Sequence, residues 1–247
     1  MGVQLIDYTG CGSPDPARHA ANVLVFTKNT RLEMRVGLMA DIATWPWEKV
    51  EEELAYMANT IPSSWEFVNY TFLINDVTRA FTHQFVRTRT GSYAQQTMRV
   101  LNVDGWGYSE GPTVADDESR KEVYRGCMDA IADTYERLIE MGAKIEDARG
   151  VLPTNIHTNI VAKFDLRTLA DTARKRASSR TQGEYRDVMD AMLAQVRRVH
   201  PWTSMFLGRT FDRSAHELEN AISDLCRNDD QRRVNLIKLI DQMRATA

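Results

Sequence analysis

The sequence is poor in cysteine and contains no long apolar run. Its three cysteines, Cys11, Cys127 and Cys226, are far apart, and no two form a Cys-x-x-Cys pair. This excludes the common zinc and dithiol signatures, and it favours a reduced, cytoplasmic protein. No stretch approaches the length of a membrane span, and the first residues lack the apolar core of a signal peptide. We therefore expect no metal site and no membrane association.

Motifs of several large enzyme classes are also missing. The sequence contains no GxxxxGK[ST] phosphate loop, no GxGxxG dinucleotide fingerprint, no HExxH zinc site and no GxSxG nucleophile turn. The net charge of −3 does not favour general binding to a polyanion. A function must therefore be sought in a local pattern of residues.

Acidic residues are absent from residues 77–103, although the whole chain carries 34 acids against 31 bases. Within this stretch, residues 87–99 read RTRTGSYAQQTMR, which combines arginines with hydroxyl and amide side chains. Guanidinium groups bind phosphate through charge-assisted bonds, and Ser, Thr and Gln can complete the oxygen shell. The segment predicts either an anion site or a solvated basic face. Because Tyr93 is its only aromatic residue, we do not expect nucleic-acid binding.

Hydrophobic periodicity predicts a mixture of helices and strands. We expect strands over residues 3–8 and 65–74, the second with one irregular step, and an extended segment over residues 155–165. Helices are expected over residues 17–26 and 47–60, from a cap at Asp76 or Thr78 to about Arg89, and over 118–142. One or two more are expected from residue 167 to residue 192 and beyond, and two over 212–244. The predicted class is α+β, a single domain with a mixed or antiparallel sheet flanked by helices. We place this domain at residues 1–210 and a helical C-terminal extension at residues 211–247.

A second basic cluster lies downstream, where residues 163–186 carry seven bases and three acids. Arg174, Lys175 and Arg186 fit a solvated helix face. Arg176 and Arg180 are four residues apart and therefore share one helix face, where like charges repel unless an anion lies between them.

With these motifs the sequence resembles the flavin-dependent thymidylate synthases. The signature of that family is Arg-His-Arg, seven residues, Ser, and an arginine two positions later. It corresponds here to Arg87-Thr88-Arg89, Thr97 and Arg99. Further family motifs follow in the right order over residues 65–202: an aromatic-Glu pair at Trp65-Glu66, a glutamine at Gln84, Ala-Arg-x-x-Leu-Pro at 148–153, an Asn-x-Arg-Ser-Leu equivalent at 165–169, the catalytic arginine at Arg176, and Gln-x-Glu at 182–184.

The resemblance implies an enzyme that transfers a one-carbon unit from methylenetetrahydrofolate to C5 of dUMP. It implies bound FAD, reduction by NADPH, and a homotetramer whose subunits share the sites for FAD and a pyrimidine deoxynucleotide. Arg176 would be catalytic. By position, the nucleotide would be held by Gln84, Gln95, Thr97, Met98, Arg99, Arg149 and Arg176. The residues near the flavin would be Arg87, Thr88, Arg89, Thr90, Asp165, Arg167, Asp171, Lys175 and Arg180.

The chain also departs from the family pattern. Phe67 and Thr88 stand where the family has histidines, Gln95 replaces a glutamate, and Asp165 and Asp171 replace asparagines. These changes leave three interpretations open. The protein keeps the family reaction, it hydroxymethylates dUMP or dCMP instead, or it is a catalytically inactive nucleotide-binding module.

Overall fold

A computed structural model describes residues 1–98, 107–176, 183–207, 218, 221–223, 225–226 and 229–246, the last six without their side chains. The chain divides into two compact units. The first unit comprises Met1–Val3 and Leu73–Ala162, and the second comprises Gln4–Phe72 and Lys163–Ala247.

Four strands form one antiparallel sheet in the order β1-β2-β4-β3. Their bounds are β1 Gly2–Tyr8, β2 Asn69–Thr78, β3 Ser92–Gln95 and β4 His157–Asp165. The central strands β2 and β4 alternate buried and less buried residues, which is the period of a strand with one covered face. The buried positions of β2 include Tyr70, Phe72 and Ile74. Their large apolar and aromatic side chains explain why this strand occupies the middle of the sheet.

Helices account for most of the remaining described residues. They are α1 Pro16–Asn29, α2 Leu38–Ala43, α3 Trp47–Thr60, α4 Arg79–Phe85, α5 Pro112–Ala115, α6 Glu118–Glu140, α7 Ile145–Ala148, α8 Leu166–Arg176, α9 Gly183–Val199 and α10 Asp230–Thr246. Short 3-10 helices span Pro62–Phe67, Arg149–Val151 and Pro201–Met205. The predicted fold class, an antiparallel sheet flanked by helices with a helical C-terminal region, is confirmed. The boundary at residue 210 stays a prediction, since residues 208–217 lie outside the described part.

The predicted strand over residues 65–74 is wrong at its beginning. Residues 65–67 belong to the 3-10 helix Pro62–Phe67, and β2 begins only at Asn69. The indole of Trp65 is buried, donates to the carbonyl of Met57 at 3.1 Å and meets the ring of Phe206 edge-on at 5.0 Å. These contacts fix Trp65 against α3, so its apolar character reflects helix packing in the second unit rather than strand alternation.

Of two predicted helix ends, one agrees with the structure and the other does not. The helix predicted over residues 118–142 is confirmed as α6, and Gly142 adopts φ +87° just beyond its end, a conformation that glycine accepts without strain. The helix predicted through Arg89 is shorter and ends at Phe85. The chain there turns, and Thr88 and Gly91 close the turns by donating to the carbonyls of Phe85 and Thr88, respectively.

His200 is fully buried in the second unit, at the end of α9. Its Nδ1 lies 2.9 Å from the hydroxyl of Tyr70. Burial lowers the pKa of His200 to about 4, and the backbone of Thr9 and Pro16 acts more weakly in the opposite direction. Burial also raises the pKa of Tyr70, which keeps the phenol neutral. The folded protein therefore holds a neutral histidine that an unfolded chain would protonate near pH 6.5.

We predict that this histidine makes stability fall as the pH drops from about 6.5 to about 4. Over that interval the unfolded chain binds a proton that the folded chain excludes, so the loss reaches on the order of 3 kcal/mol and then levels off. Denaturant unfolding from pH 7 to pH 4 measures it. Because carboxylates titrate in the same range, His200→Gln serves as the matched reference. A wild-type protein with the same pH profile as His200→Gln would contradict the prediction.

Candidate functional site

The acid-free segment is anchored by an aromatic core within the first unit. The rings of Phe81 and Phe85 are buried and stack with centroids 4.9 Å apart. The hydroxyl of Tyr93 donates to the carbonyls of Phe85 and Thr88, at 3.1 and 2.8 Å. Tyr93 thereby ties β3 to the turn that follows α4. The turn carries the Arg-Thr-Arg motif, so core packing holds the backbone of that motif in place.

Arg87 and Arg89 are exposed in this turn. Neither forms an ion pair with any acid among the residues that the structure describes. The acid-free sequence around them explains this, since no carboxylate lies nearby along the chain. Their guanidinium donors are therefore available to an anion.

Arg79, the first residue of α4, is a candidate that the motif comparison missed. Its side chain is half-buried, and its Nη1 is buried without a hydrogen-bond partner in the described part of the chain. Burial lowers the pKa of Arg79, and the nearby positive charge of Arg149 lowers it further. A buried donor with no acceptor costs about 1–3 kcal/mol, and a second cation adds to that cost. A bound anion would relieve both.

Gln95, at the end of β3, extends this group. Its Nε2 donates to the hydroxyls of Thr82 and Thr158, at 3.0 and 3.4 Å. The Thr82 hydroxyl in turn donates to the carbonyl of Arg79 at 3.1 Å. The single proton of that hydroxyl is used in the bond to the carbonyl. Towards Gln95 the hydroxyl oxygen therefore acts as an acceptor, and it is the amide nitrogen of Gln95 that faces it. We call Arg79, Thr82, Gln95, Arg149 and Thr158 the Arg79 cluster.

The other residues predicted to hold a nucleotide have varied positions. Arg149 is exposed, and its Nε donates to the carbonyl of Glu146 at 3.1 Å. Gln84 is half-buried on α4, Thr97 and Met98 follow β3, and Arg99 lies outside the described residues. The structure thus brings Arg149 and Gln95 together with Arg79 in the first unit.

The predicted flavin-side residues of the second unit lie around α8. Asp165 accepts from the backbone N–H of Thr168 at 2.7 Å and from its hydroxyl at 3.0 Å, which caps the start of α8. Arg167 pairs with Glu66 at 2.6 Å, and both side chains remain about half exposed. These contacts fix the first turn of the helix.

The last turn of α8 carries the other predicted residues. Asp171 pairs with Arg174 at 3.0 Å, and Lys175 is exposed. Arg176 ends the helix, and its guanidinium carbon lies 4.7 Å from the ring centroid of Tyr185 on α9. Of the remaining predicted residues, Thr88 and Thr90 lie in the turn of the first unit, and Arg180 lies outside the described residues.

Two further findings concern the described residues as a whole. No group of three or more His, Cys, Asp and Glu side chains comes together there in a way that could hold a metal ion. No helix in those ranges is long and apolar enough to cross a membrane.

Comparison with known proteins gives a consistent result. The family model described as thymidylate synthase complementing protein, Thy1, matches residues 4–202. The flavin-dependent thymidylate synthase of Geobacter sulfurreducens is 36% identical over 203 residues, which cover 81% of this chain and 84% of that protein. The enzyme of the same name from Clostridium tetani is 32% identical over 216 residues, covering 81% and 83%.

The family match covers most of the chain, including the Arg-Thr-Arg turn, the Arg79 cluster and α8. Both relatives exceed 30% identity over four fifths of the sequence. The chain therefore belongs to the flavin-dependent thymidylate synthase family.

Proposed function

We propose that the protein transfers a one-carbon unit from methylenetetrahydrofolate to C5 of a pyrimidine deoxynucleoside monophosphate, converting dUMP to dTMP. The observation that carries the proposal is the pair of cations Arg79 and Arg149, whose mutual charge and buried donor call for an anion such as a nucleotide phosphate. The names of the relatives support the same chemistry. We expect the protein in the cytoplasm, because nucleotide synthesis and reduced cysteines both fit that compartment.

The chain would hold the nucleotide through its phosphate and its base. Arg79 and Arg149 would bind phosphate oxygens, and a phosphate fixed by two guanidinium groups restricts how the base can turn. Such orientation lowers the barrier by removing rotational freedom before the reaction. The remaining nucleotide contacts would come from Gln84, Gln95, Thr97, Met98 and Arg99.

Arg176 would act on the pyrimidine ring. Attack by C5 requires the ring to become electron-rich, and negative charge then develops along its N–C=O edge. A guanidinium placed at that edge stabilises the charge as it forms, which lowers the barrier of the chemical step. This chemistry requires no cysteine nucleophile.

FAD, reduced by NADPH, is the cofactor that we infer. The exposed guanidinium groups of Arg87 and Arg89, with no acid partner among the described residues, fit the oxygens of a diphosphate. Asp165 and Asp171 are engaged with Thr168 and Arg174, yet each carboxylate keeps acceptor capacity for hydroxyl groups. Further contacts would come from Thr88, Thr90, Arg167, Lys175 and Arg180. When bound, the flavin supplies the hydride that converts the transferred carbon to a methyl group.

A hydroxymethyl product, from dUMP or dCMP, is the second candidate. The observation that favours it is Phe67, which is 58% exposed at a position where the family carries histidine. Thr88 replaces the other family histidine. Hydroxymethyl transfer adds water in place of a hydride and needs no net reductant, so it tolerates a weakened flavin side. An inactive nucleotide-binding module would keep the Arg79 cluster but would not need Arg176.

We predict that product formation from dUMP and methylenetetrahydrofolate depends on NADPH, because methyl transfer consumes a hydride. Mass spectrometry should find a product with the mass of dTMP, and omission of NADPH should stop its accumulation. A product that accumulates without NADPH and is one oxygen heavier would refute methyl transfer in favour of hydroxymethyl transfer. Absence of any product with either dUMP or dCMP would support the inactive module.

Arg176→Ala should lower kcat by at least about a hundredfold and leave the thermal midpoint nearly unchanged. The reason is that an electrostatic group acting on developing charge is typically worth 10²–10³ in kcat. Steady-state kinetics with a thermal melt measures both quantities. Arg198→Ala, which removes an exposed arginine of α9 that bonds Gln195, is the control and should keep full turnover. Near-normal kcat in Arg176→Ala would remove this residue from the mechanism.

Arg79→Ala and Arg149→Ala should each weaken dUMP binding by about 1.5–3 kcal/mol, the value of a hydrogen bond to a charged group. Arg79→Ala should do so without lowering the thermal midpoint, since it also removes a buried and unpaired donor. Calorimetry and thermal melts provide the measurements. The control is Arg120→Ala on α6. Unchanged dUMP affinity in both cluster variants would exclude the Arg79 cluster as the phosphate site.

We also propose a homotetramer with sites shared between subunits. The exposed arginines of the Arg-Thr-Arg turn would then lie at subunit contacts, where like charges require anions or acids between them. Light scattering should give four times the 28.2 kDa of the chain. A fully active monomer would be the contrary result.

A further inference from the structure

The guanidinium of Arg176 lies over the ring of Tyr185. The guanidinium carbon lies 4.7 Å from the ring centroid, within the range of a cation–π contact. Arg176 is the last residue of α8, Tyr185 is the third residue of α9, and these two helices pack against each other. Tyr185 is completely buried, so its ring is held in place by its own surroundings.

Other arginines of α8 are held in a different way. Arg167 pairs with Glu66 at 2.6 Å and Arg174 pairs with Asp171 at 3.0 Å. Within the described ranges, no carboxylate lies at ion-pair distance from Arg176. A carboxylate would occupy the N–H donors of an arginine and offset its charge. A neutral aromatic ring attracts the cation through its electron-rich face and does not cancel its charge, so N–H donors of the guanidinium remain for an anion.

We propose that Tyr185 is a positioning residue for Arg176, which its ring orients without neutralising its charge. This inference rests on the proposed role of Arg176 in turnover. Two features of Arg176 would otherwise work against a fixed orientation. The side chain is long, with much rotamer freedom to lose, and it lies at the end of a helix. The ring restricts the guanidinium plane before the nucleotide arrives, so less ordering remains at the chemical step.

The same arrangement keeps the positive charge where the reaction needs it. The C-terminal end of α8 carries partial negative charge from its last carbonyls, which favours a cation in the final turn. The electron-rich face of the Tyr185 ring acts in the same direction. Arg176 is thus stabilised as a cation by a helix end and a ring face, and neither one competes with an anionic substrate for its edge donors.

Graded fluorination of the ring at position 185 tests the proposal. Phe and Phe analogues with one, two and three ring fluorines are introduced, because each fluorine weakens the negative face while changing the ring size very little. We expect Tyr185→Phe to keep kcat within about twofold, and kcat to fall stepwise to about tenfold lower in the trifluoro variant. The thermal midpoint should stay level, and dUMP affinity by calorimetry should change less than kcat.

The same series in an Arg176→Ala background is the matched control, and it should show no stepwise dependence on fluorine. If kcat stays level across the series, or falls only in step with the thermal midpoint, Tyr185 is a core residue and the proposal is wrong. The proposed function fails separately, if the wild-type protein forms no product from dUMP or dCMP. The proposed catalytic role of Arg176 fails if Arg176→Ala itself retains normal turnover. A severe loss in Arg176→Ala combined with a flat fluorine series would overturn only the positioning role of Tyr185.

Discussion

The candidate nucleotide site depends on one junction, where β2 ends and α4 begins. The hydroxyl of Thr78 accepts from the backbone N–H of Phe81 at 3.0 Å and starts the helix. The first two N–H groups of the helix, those of Arg79 and Ala80, donate to the carbonyls of residues 156 and 154, which lie just before β4. All the early donors of this short helix are therefore satisfied, and the backbone of Arg79 is fixed from two sides. The backbone of Arg79 is thereby held where its guanidinium is half-buried and feels the positive charge of Arg149.

The distribution of acids decides which arginines remain available. In both units, arginines on helices take acid partners, as Arg125 does with Glu110 at 2.6 Å and Arg167 does with Glu66. Exposed pairs of this kind contribute little stability. They do, however, occupy N–H donors of these arginines, which are then not free to bind another anion. Within the described part of the chain, other arginines keep their N–H donors free of carboxylates. Arg87 and Arg89 do so because no acid lies near them in the sequence, and Arg176 does so because its partner is an aromatic ring. An anionic ligand that binds these donors stabilises the folded protein by mass action.

Sequence patterns predicted elements whose signals are local. The bounds of α3 and the glycine beyond α6 follow from helical spacing and backbone preference, and both agree with the structure. The 3-10 helix before β2 was mistaken for a strand because Trp65 packs on α3, a contact that no short window contains. Arg79 and Tyr185 were missed for the same reason. Their importance comes from burial and from a partner on another element, Arg149 or Arg176, whereas motif spacing reveals only residues that share one segment.

Departures from the family pattern are accommodated by local chemistry at two positions. At position 95 an amide donates to hydroxyls, one of which has already given its proton to the carbonyl of Arg79. The amide thereby supplies N–H donors that a glutamate at this position would lack. Asp165 uses both carboxylate oxygens to cap α8, where a negative charge at a helix start is favourable. Both substitutions therefore fit their hydrogen-bonded surroundings.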